Sequence, residues 1–273
     1  MVGEIAVIAV VGAGGKTGRA VVNRLRSRSK PVRPLVRRPS GLDGEVVVDL
    51  LDSFSVRAAL EGVDTVYHMA PNMHTAEFEI GRRVITVAPD AGVKRIVYHS
   101  VLHPQLESMP HHWDKLRVEE ALMNSRLRWT ILQPAPYVQN FTRPPDGVLR
   151  IPYRTDAPFS FVDLMDVAEA AAIVLSVGDF DYGTYELAGP DVMTVADIAQ
   201  QLGVRVESVD PQVWGREALA RGISPQTVTR LKSMFEHYDA HGLVGNPAAL
   251  ATILGRPPTN ALDALLRDLS TQP

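Results

Sequence analysis

Ile8-Ala9-Val10-Val11-Gly12-Ala13-Gly14-Gly15-Lys16-Thr17-Gly18 decides the fold of this chain. An apolar run from Ile5 to Val11 ends at Gly12, and Ala20-Val21-Val22 then opens a helical pattern. The dehydrogenase spacing G-x-G-x-x-G, begun at Gly12 and Gly14, would need glycine where Thr17 stands. The spacing that fits is G-x-x-G-x-x-G, through Gly12, Gly15 and Gly18. A strand, a glycine turn and a helix N-terminus in that order make a dinucleotide cradle. Gly12 allows a sharp turn, Gly15 a close approach of backbone to pyrophosphate, and Gly18 close packing of helix on strand. The helix N-terminus offers N–H groups and partial positive charge to the phosphates. Gly14, Lys16 and Thr17 complete the loop and are assigned to the cofactor with the glycines. The alternative is a tight strand-to-helix turn without a ligand.

Alternation continues through the first half. Strands are expected at 5–11, 32–36, 45–48, 64–69, 94–99 and 128–133, and helices near 16–28, 53–61, 76–91 and 112–124. That order implies βαβ units and a parallel, doubly wound Rossmann sheet. Ligands of such sheets bind beyond the C-terminal ends of the strands. Prolines 134, 136, 144, 145, 152 and 158 then break the pattern. A further strand is expected at 159–163, a helix at 166–175 and a short strand at 184–187. Thr194 and Asp197 resemble a capping box that starts a mainly helical tail. The expected organisation is a core over 1–135, with 159–187 returning to it. A smaller substrate-side lobe of 136–158 and 188–273 is expected to pack over the sheet edge.

Composition narrows the function. A chain of 273 residues, 45% hydrophobic, can bury a core and still shape a ligand cleft. The absence of cysteine excludes disulfides, cysteine metal sites and thiol nucleophiles. No secretory leader and no membrane-length apolar run is visible, so a cytoplasmic protein is expected. A net charge of −3 argues against nucleic acid as partner, and no metal site is expected. The expected partner is a small-molecule substrate.

One charge asymmetry matters. Between Glu4 and Asp43 there is no acid, yet Lys16, Arg19, Arg24, Arg26, Arg28, Lys30, Arg33, Arg37 and Arg38 all fall there. Arg19 to Arg28 read as a solvated helix face. Arg37 and Arg38 follow the second strand, where NAD enzymes place an acid for the ribose 2′-hydroxyl. A guanidinium there suits a 2′-phosphate, so NADP(H) is expected, with Arg37 the principal contact. The other reading is a pair of exposed loop arginines. Asp49 and Asp52, after the third strand, are candidates for the adenine amino group, and Asp52 could equally be a helix N-cap. Met69-Ala70-Pro71 ends the fourth strand with small residues that would let backbone pass the cofactor ribose.

Ser100 ends the fifth strand, and Pro110-His111-His112-Trp113-Asp114-Lys115 opens a helix. His111 and Lys115 are one turn apart. With Ser100 they make a candidate proton-donating and ribose-holding group. Either histidine could instead be a surface residue or a helix N-terminal contact. Trp214, Phe235, His237, Tyr238 and His241 could frame a substrate or simply pack.

These motifs together resemble the NmrA-like proteins, which are atypical short-chain dehydrogenase/reductases. The resemblance rests on the glycine triplet, Arg37, Tyr98-His99-Ser100-Val101, Lys115 and Trp129-Thr130-Ile131-Leu132-Gln133-Pro134. It extends through Pro134, Tyr137 and Asn140, then Phe161-Val162-Asp163 with Asp166-Val167-Ala168, and Tyr185-Glu186-Leu187-Ala188-Gly189-Pro190. It spans about residues 4–265, and Pro134 and Tyr137 join the cofactor set. The superfamily's Tyr-x-x-x-Lys is here His111-x-x-x-Lys115, and Gln133 stands where many members have Arg. Tyrosine-independent members include NADPH-dependent quinone and triphenylmethane-dye reductases, and redox sensors that bind NADP without turnover. The resemblance therefore implies an NADPH-dependent reductase of a small conjugated acceptor such as a quinone. The alternatives are a dinucleotide sensor and a biosynthetic ketoreductase or isomerase using His111 as acid.

Overall fold

The computed structural model describes residues 6–270; Ile5, where the first strand is expected to begin, lies outside them. Strands β1 (Ile8–Val11), β2 (Val32–Val36), β3 (Val46–Val47), β4 (Thr65–His68), β5 (Arg95–His99) and β6 (Arg128–Pro134) alternate with helices. These are α1 (Lys16–Ser27), α2 (Ser53–Leu60), α3 (Glu77–Val87) and α4 (Pro110–Met123). Next come β7 (Val148–Ile151), α5 (Leu164–Ser176), β8 (Gly183–Leu187), α6 (Val195–Leu202) and β9 (Arg205–Ser208). Helices α7 (Pro211–Ala220), α8 (Pro225–His241), α9 (Ala248–Leu254) and α10 (Ala261–Ser270) follow.

The main sheet has seven strands in the order β3-β2-β1-β4-β5-β6-β8. The pairs from β3 to β6 are parallel, with Ile8 opposite both Val32 and Thr65. The order reverses between β1 and β4, which is where a doubly wound sheet opens its ligand crevice. On one face, Val11, Leu35, Val66, Ile96, Tyr98 and Ile131 pack against Val56, Val84, Val118 and Leu122 of α2, α3 and α4. That contact is tight: a Cβ on Gly81 would come 2.6 Å from both methyls of Val118.

The chain divides into two compact units. The first runs to Val101 and includes Asp114–Gln133 and Val167–Tyr185. The second takes Leu102–Trp113, Pro134–Asp166 and the chain from Glu186. Residues 102–113, 134–135, 159–166 and 186–187, expected in the core, lie in the second unit.

Two local expectations change, and one element appears that the sequence did not signal. The helix expected over 76–91 stops at Val87, because Pro89 starts a separate 3-10 turn that Gly92 closes at φ +86°. The strand expected at 159–163 is instead a set of isolated bridges. Phe159 pairs with Met193 and Leu243, and Val162 with Tyr137, so no two neighbours share one ladder. Its backbone is crowded: a side chain on Gly189 would strike the Phe161 carbonyl. The pair β7–β9 is parallel and was hidden by the surrounding prolines. The capping box at Thr194 and Asp197 is present. Among the described residues no helix is long and apolar enough to cross a membrane.

Candidate active site

The glycine loop lies at the switch point. Gly12 turns at φ +76°, and a Cβ there would lie 3.1 Å from the Met69 carbonyl, so the end of β4 abuts the loop. A Cβ on Gly18 would collide with the Gly12 carbonyl and come within 2.7 Å of the Ala13 Cα. Gly18 therefore serves packing. Gly15 differs: a Cβ there would meet only the Gly12 carbonyl, at 3.5 Å. Gly15 is also the N-cap of α1, without a side-chain cap, and no acid stands in the first turn. Gly15, at the start of that turn, is exposed, which leaves room beside it for an anion. Gly14 and Lys16 are exposed and Thr17 is buried, and desolvation lowers the Lys16 pKa. Ala70 is buried and Pro71 half-buried behind Met69.

The cations of the acid-free stretch sort into two sets. Arg24 and Arg28 both bind Glu169 of α5. Arg26 donates to the Asp43 carbonyl at 2.6 Å, and Arg33 to the Ala59 and Glu61 carbonyls at 3.0 and 2.6 Å. Arg19 donates to the Gly14 carbonyl at 3.1 Å and the Ser40 carbonyl at 2.7 Å. The expected solvated face is thus largely tied down. Arg37 and Arg38, just beyond β2, are exposed, and no hydrogen bond or ion pair among the described residues engages them. A guanidinium pair with no protein partner at this strand end fits a 2′-phosphate.

The aspartates after β3 act locally. Asp52 caps α2, accepting from the Phe54 N–H at 3.0 Å, and Asp49 accepts from the Leu51 N–H at 2.9 Å. The capping alternative for Asp52 is therefore the one the structure displays.

Beyond β5 lie two buried carboxylates absent from the sequence reading. Glu77, at the start of α3, accepts from the Tyr98 hydroxyl at 3.0 Å and from Lys115 Nζ at 3.0 Å. Lys115 also reaches the His99 carbonyl at 3.4 Å. Glu119, one turn after Lys115, accepts from the Ser100 hydroxyl and from Gln133 Nε2 at 3.0 and 3.1 Å. Burial raises the Glu119 pKa, against the pull of Ser100, Gln133 and Lys115. Sequence spacing held a signal for Glu119, since residues four apart share a helix face. Glu77 had none, being 38 residues from Lys115.

Two histidines flank this network. His68 is fully buried and stacked on Tyr98 with centroids 5.7 Å apart, and neither nitrogen has a hydrogen-bond partner among the described residues. His99 Nδ1 meets the Tyr67 hydroxyl at 2.5 Å. Desolvation, then the Lys115 charge, pushes both down to about 3.

The second unit holds the remaining candidates. His111 and His112 are buried, with rings edge-on at 4.5 Å, and His112 Nδ1–H donates to the His103 carbonyl at 3.1 Å. Neither is a surface residue. Pro134 ends β6, and Tyr137 bridges to Val162. Phe235 and Tyr238 pack with Tyr153, and Trp214 packs edge-on against Phe235. Ser108 Oγ lies 3.0 Å from His237 Nδ1, and His241 is exposed beside it. The family-motif aspartates prove structural. Asp163 holds Arg267 at 2.7 Å, and Asp166 holds Arg256 at 2.5 Å, tying down the C-terminal helices. Among the described residues no group of three His, Asp or Glu is placed to hold a metal.

The family model for the NmrA-like family matches residues 5–264. The chain belongs to the NmrA-like family. It is 32% identical, over 71% of its length and 72% of the relative's, to a (4-alkanoyl-5-oxo-2,5-dihydrofuran-3-yl)methyl phosphate reductase of Streptomyces griseus. It is 27% identical, over 71% of its length and 73% of the relative's, to quinone oxidoreductase 2 of Escherichia coli. The fold matches that of an NADPH-dependent quinone oxidoreductase from Escherichia coli, crystallised with NADPH. There the TM-score is 0.82 at 24% identity, covering 96% of this chain and 99% of that one.

Proposed function

We propose that this chain is an NADPH-dependent reductase of a small, conjugated, electron-poor acceptor of the quinone class. The observation that carries the cofactor half is the pairing of an open glycine cradle with two unengaged arginines at the end of β2. The acceptor half is supported by the relatives, which are a reductase and a quinone oxidoreductase.

The roles follow from the donors available. The first-turn N–H groups of α1 hold the pyrophosphate beside Gly15. Arg37 grips the 2′-phosphate through bidentate, charge-assisted bonds, with Arg38 adding charge. Lys115 has three donors. Glu77 and the His99 carbonyl engage two, leaving the third for a ribose hydroxyl. When bound, NADPH supplies hydride from its nicotinamide C4. Quinone reduction needs little proton help during hydride transfer. That suits a helix with buried His111 in the place of tyrosine, and a Ser100 hydroxyl already donated to Glu119.

The buried His111 and the engaged Ser100 hydroxyl also support a second reading, a dinucleotide sensor that binds NADP without turning it over. One assay separates the two. NADPH is incubated with the protein and a panel of quinones, dyes and ketones while loss of the reduced-nicotinamide absorbance is followed. The reductase reading expects turnover with quinones ahead of ketones. Tight NADPH binding with no turnover across the panel would leave the sensor.

A further inference from the structure

The loop between β2 and β3 is folded around one carboxylate. Glu45 Oε1 accepts from the Ser40 N–H at 2.8 Å and the Gly41 N–H at 3.3 Å. Its Oε2 accepts from the Ser40 hydroxyl at 2.6 Å and the Leu42 N–H at 3.0 Å. A carboxylate has about four lone-pair sites, and here each oxygen takes two donors. Glu45 is therefore saturated and cannot also receive a ribose hydroxyl. The Ser40 bonds, first among these, pull its carboxyl down to about 2, so it stays anionic across the physiological range.

The loop is also tied to the glycine cradle. Arg19, on α1, donates to the Ser40 carbonyl and to the Gly14 carbonyl, one guanidinium joining the two segments. A Cβ on Gly14 would sit 3.4 Å from the Ser40 Cβ, in ordinary contact. Arg37 and Arg38 lie between the end of β2 and this pinned Ser40. Their backbone is held at one end by the sheet and at the other by Glu45 and Arg19, while their side chains stay unengaged.

We propose that Glu45 is a positioning residue for 2′-phosphate recognition, holding the Arg37–Arg38 segment at a fixed distance from the glycine loop. This rests on the NADP(H) reading above. A loop already ordered loses less freedom on binding, so the two guanidiniums bind more tightly than on a mobile loop. The carboxylate also carries a negative charge, which would repel a phosphate. Its four donors and its half-buried position at the protein surface, within reach of water, weaken that repulsion. Positioning and repulsion predict opposite signs for the same substitution.

The test is calorimetric binding of NADPH, NADH and 2′,5′-ADP to the wild type, Glu45→Ala and Glu45→Gln. Glutamine keeps the size, removes the charge and leaves at least one N–H of the loop without an acceptor. The expected result is NADPH and 2′,5′-ADP weakened fivefold or more in Glu45→Ala, and by less in Glu45→Gln, with NADH within twofold in both. NADPH binding unchanged or tightened in both variants overturns the proposal, and tightening in Glu45→Gln identifies repulsion as the dominant effect. Equal weakening of NADPH and NADH also overturns it, by showing a general role in loop folding. A wild type that does not favour NADPH over NADH defeats the underlying cofactor reading instead.

Discussion

Replacing His68 with phenylalanine should flatten the acid sensitivity of the fold by a calculable amount. His68 is fully buried, stacked on Tyr98, and held at about 3 by desolvation and by the Lys115 charge, against an ordinary value of 6.5. A histidine whose folded pKa is depressed stabilises the fold fully above its unfolded pKa. That stability is lost as pH falls toward the folded pKa, because only the unfolded chain takes the proton. Between 6.5 and about 3 the loss runs at about 1.4 kcal/mol per pH unit for each such group. At pH 5 that is about 2 kcal/mol for His68, and His99, depressed alike, adds about 2 more. Phenylalanine keeps the stack on Tyr98 and cannot titrate. It also removes two buried nitrogens that have no hydrogen-bond partner among the described residues. The larger ring can cost something in packing, but that cost does not vary with pH. Urea unfolding of both proteins at pH 7 and pH 5, followed by circular dichroism, measures the difference. The variant should gain about 2 kcal/mol on the wild type between the two pH values. A constant difference across that window would refute the assignment of His68 as a buried neutral imidazole.

Other expectations concern the site. Gly15→Val should leave the fold intact, since only the Gly12 carbonyl lies near that Cβ, and should abolish NADPH binding in calorimetry; Gly18→Val should fail to fold stably, because its Cβ meets backbone. Glu77→Gln should raise the KM for NADPH more than it lowers kcat, because Lys115 and the Tyr98 hydroxyl lose a shared anionic acceptor; an unchanged KM would show that Lys115 is held without it. Glu119→Gln should stabilise the protein relative to wild type increasingly as pH rises above the ordinary carboxyl range, because a raised folded pKa favours folding only while the group is protonated; melting temperatures from pH 4 to pH 8 read this directly. His111→Phe should keep NADPH affinity and impair ketone reduction more than quinone reduction; loss of quinone turnover with NADPH still bound would make His111 catalytic.

Much of the first half was legible because its signals are local. The apolar runs, the glycine spacing and the arginines after β2 can be read within a few residues of each other, and the strands appear close to where they were expected. Arg19 shows the limit. Its helix looked like a solvated face, yet its guanidinium joins Gly14 to Ser40. Glu77 and Glu119 were missed because a carboxylate becomes a site residue only when the fold buries it beside a lysine or serine. The strand β7 was missed because it sits among prolines and its partner, β9, is remote in sequence. Phe159 to Asp163 has strand composition, but its backbone changes partner every residue or two, which composition does not encode.

The most direct test of the cofactor claim is calorimetric titration of NADPH and NADH into the wild type and into Arg37→Ala. Charge-assisted hydrogen bonds are worth about 1.5–3 kcal/mol each. The wild type should therefore bind NADPH at least about tenfold more tightly than NADH, and Arg37→Ala should erase most of that preference while leaving NADH nearly unchanged. Equal affinity for the two cofactors in the wild type, or a preference that survives in Arg37→Ala, would contradict it.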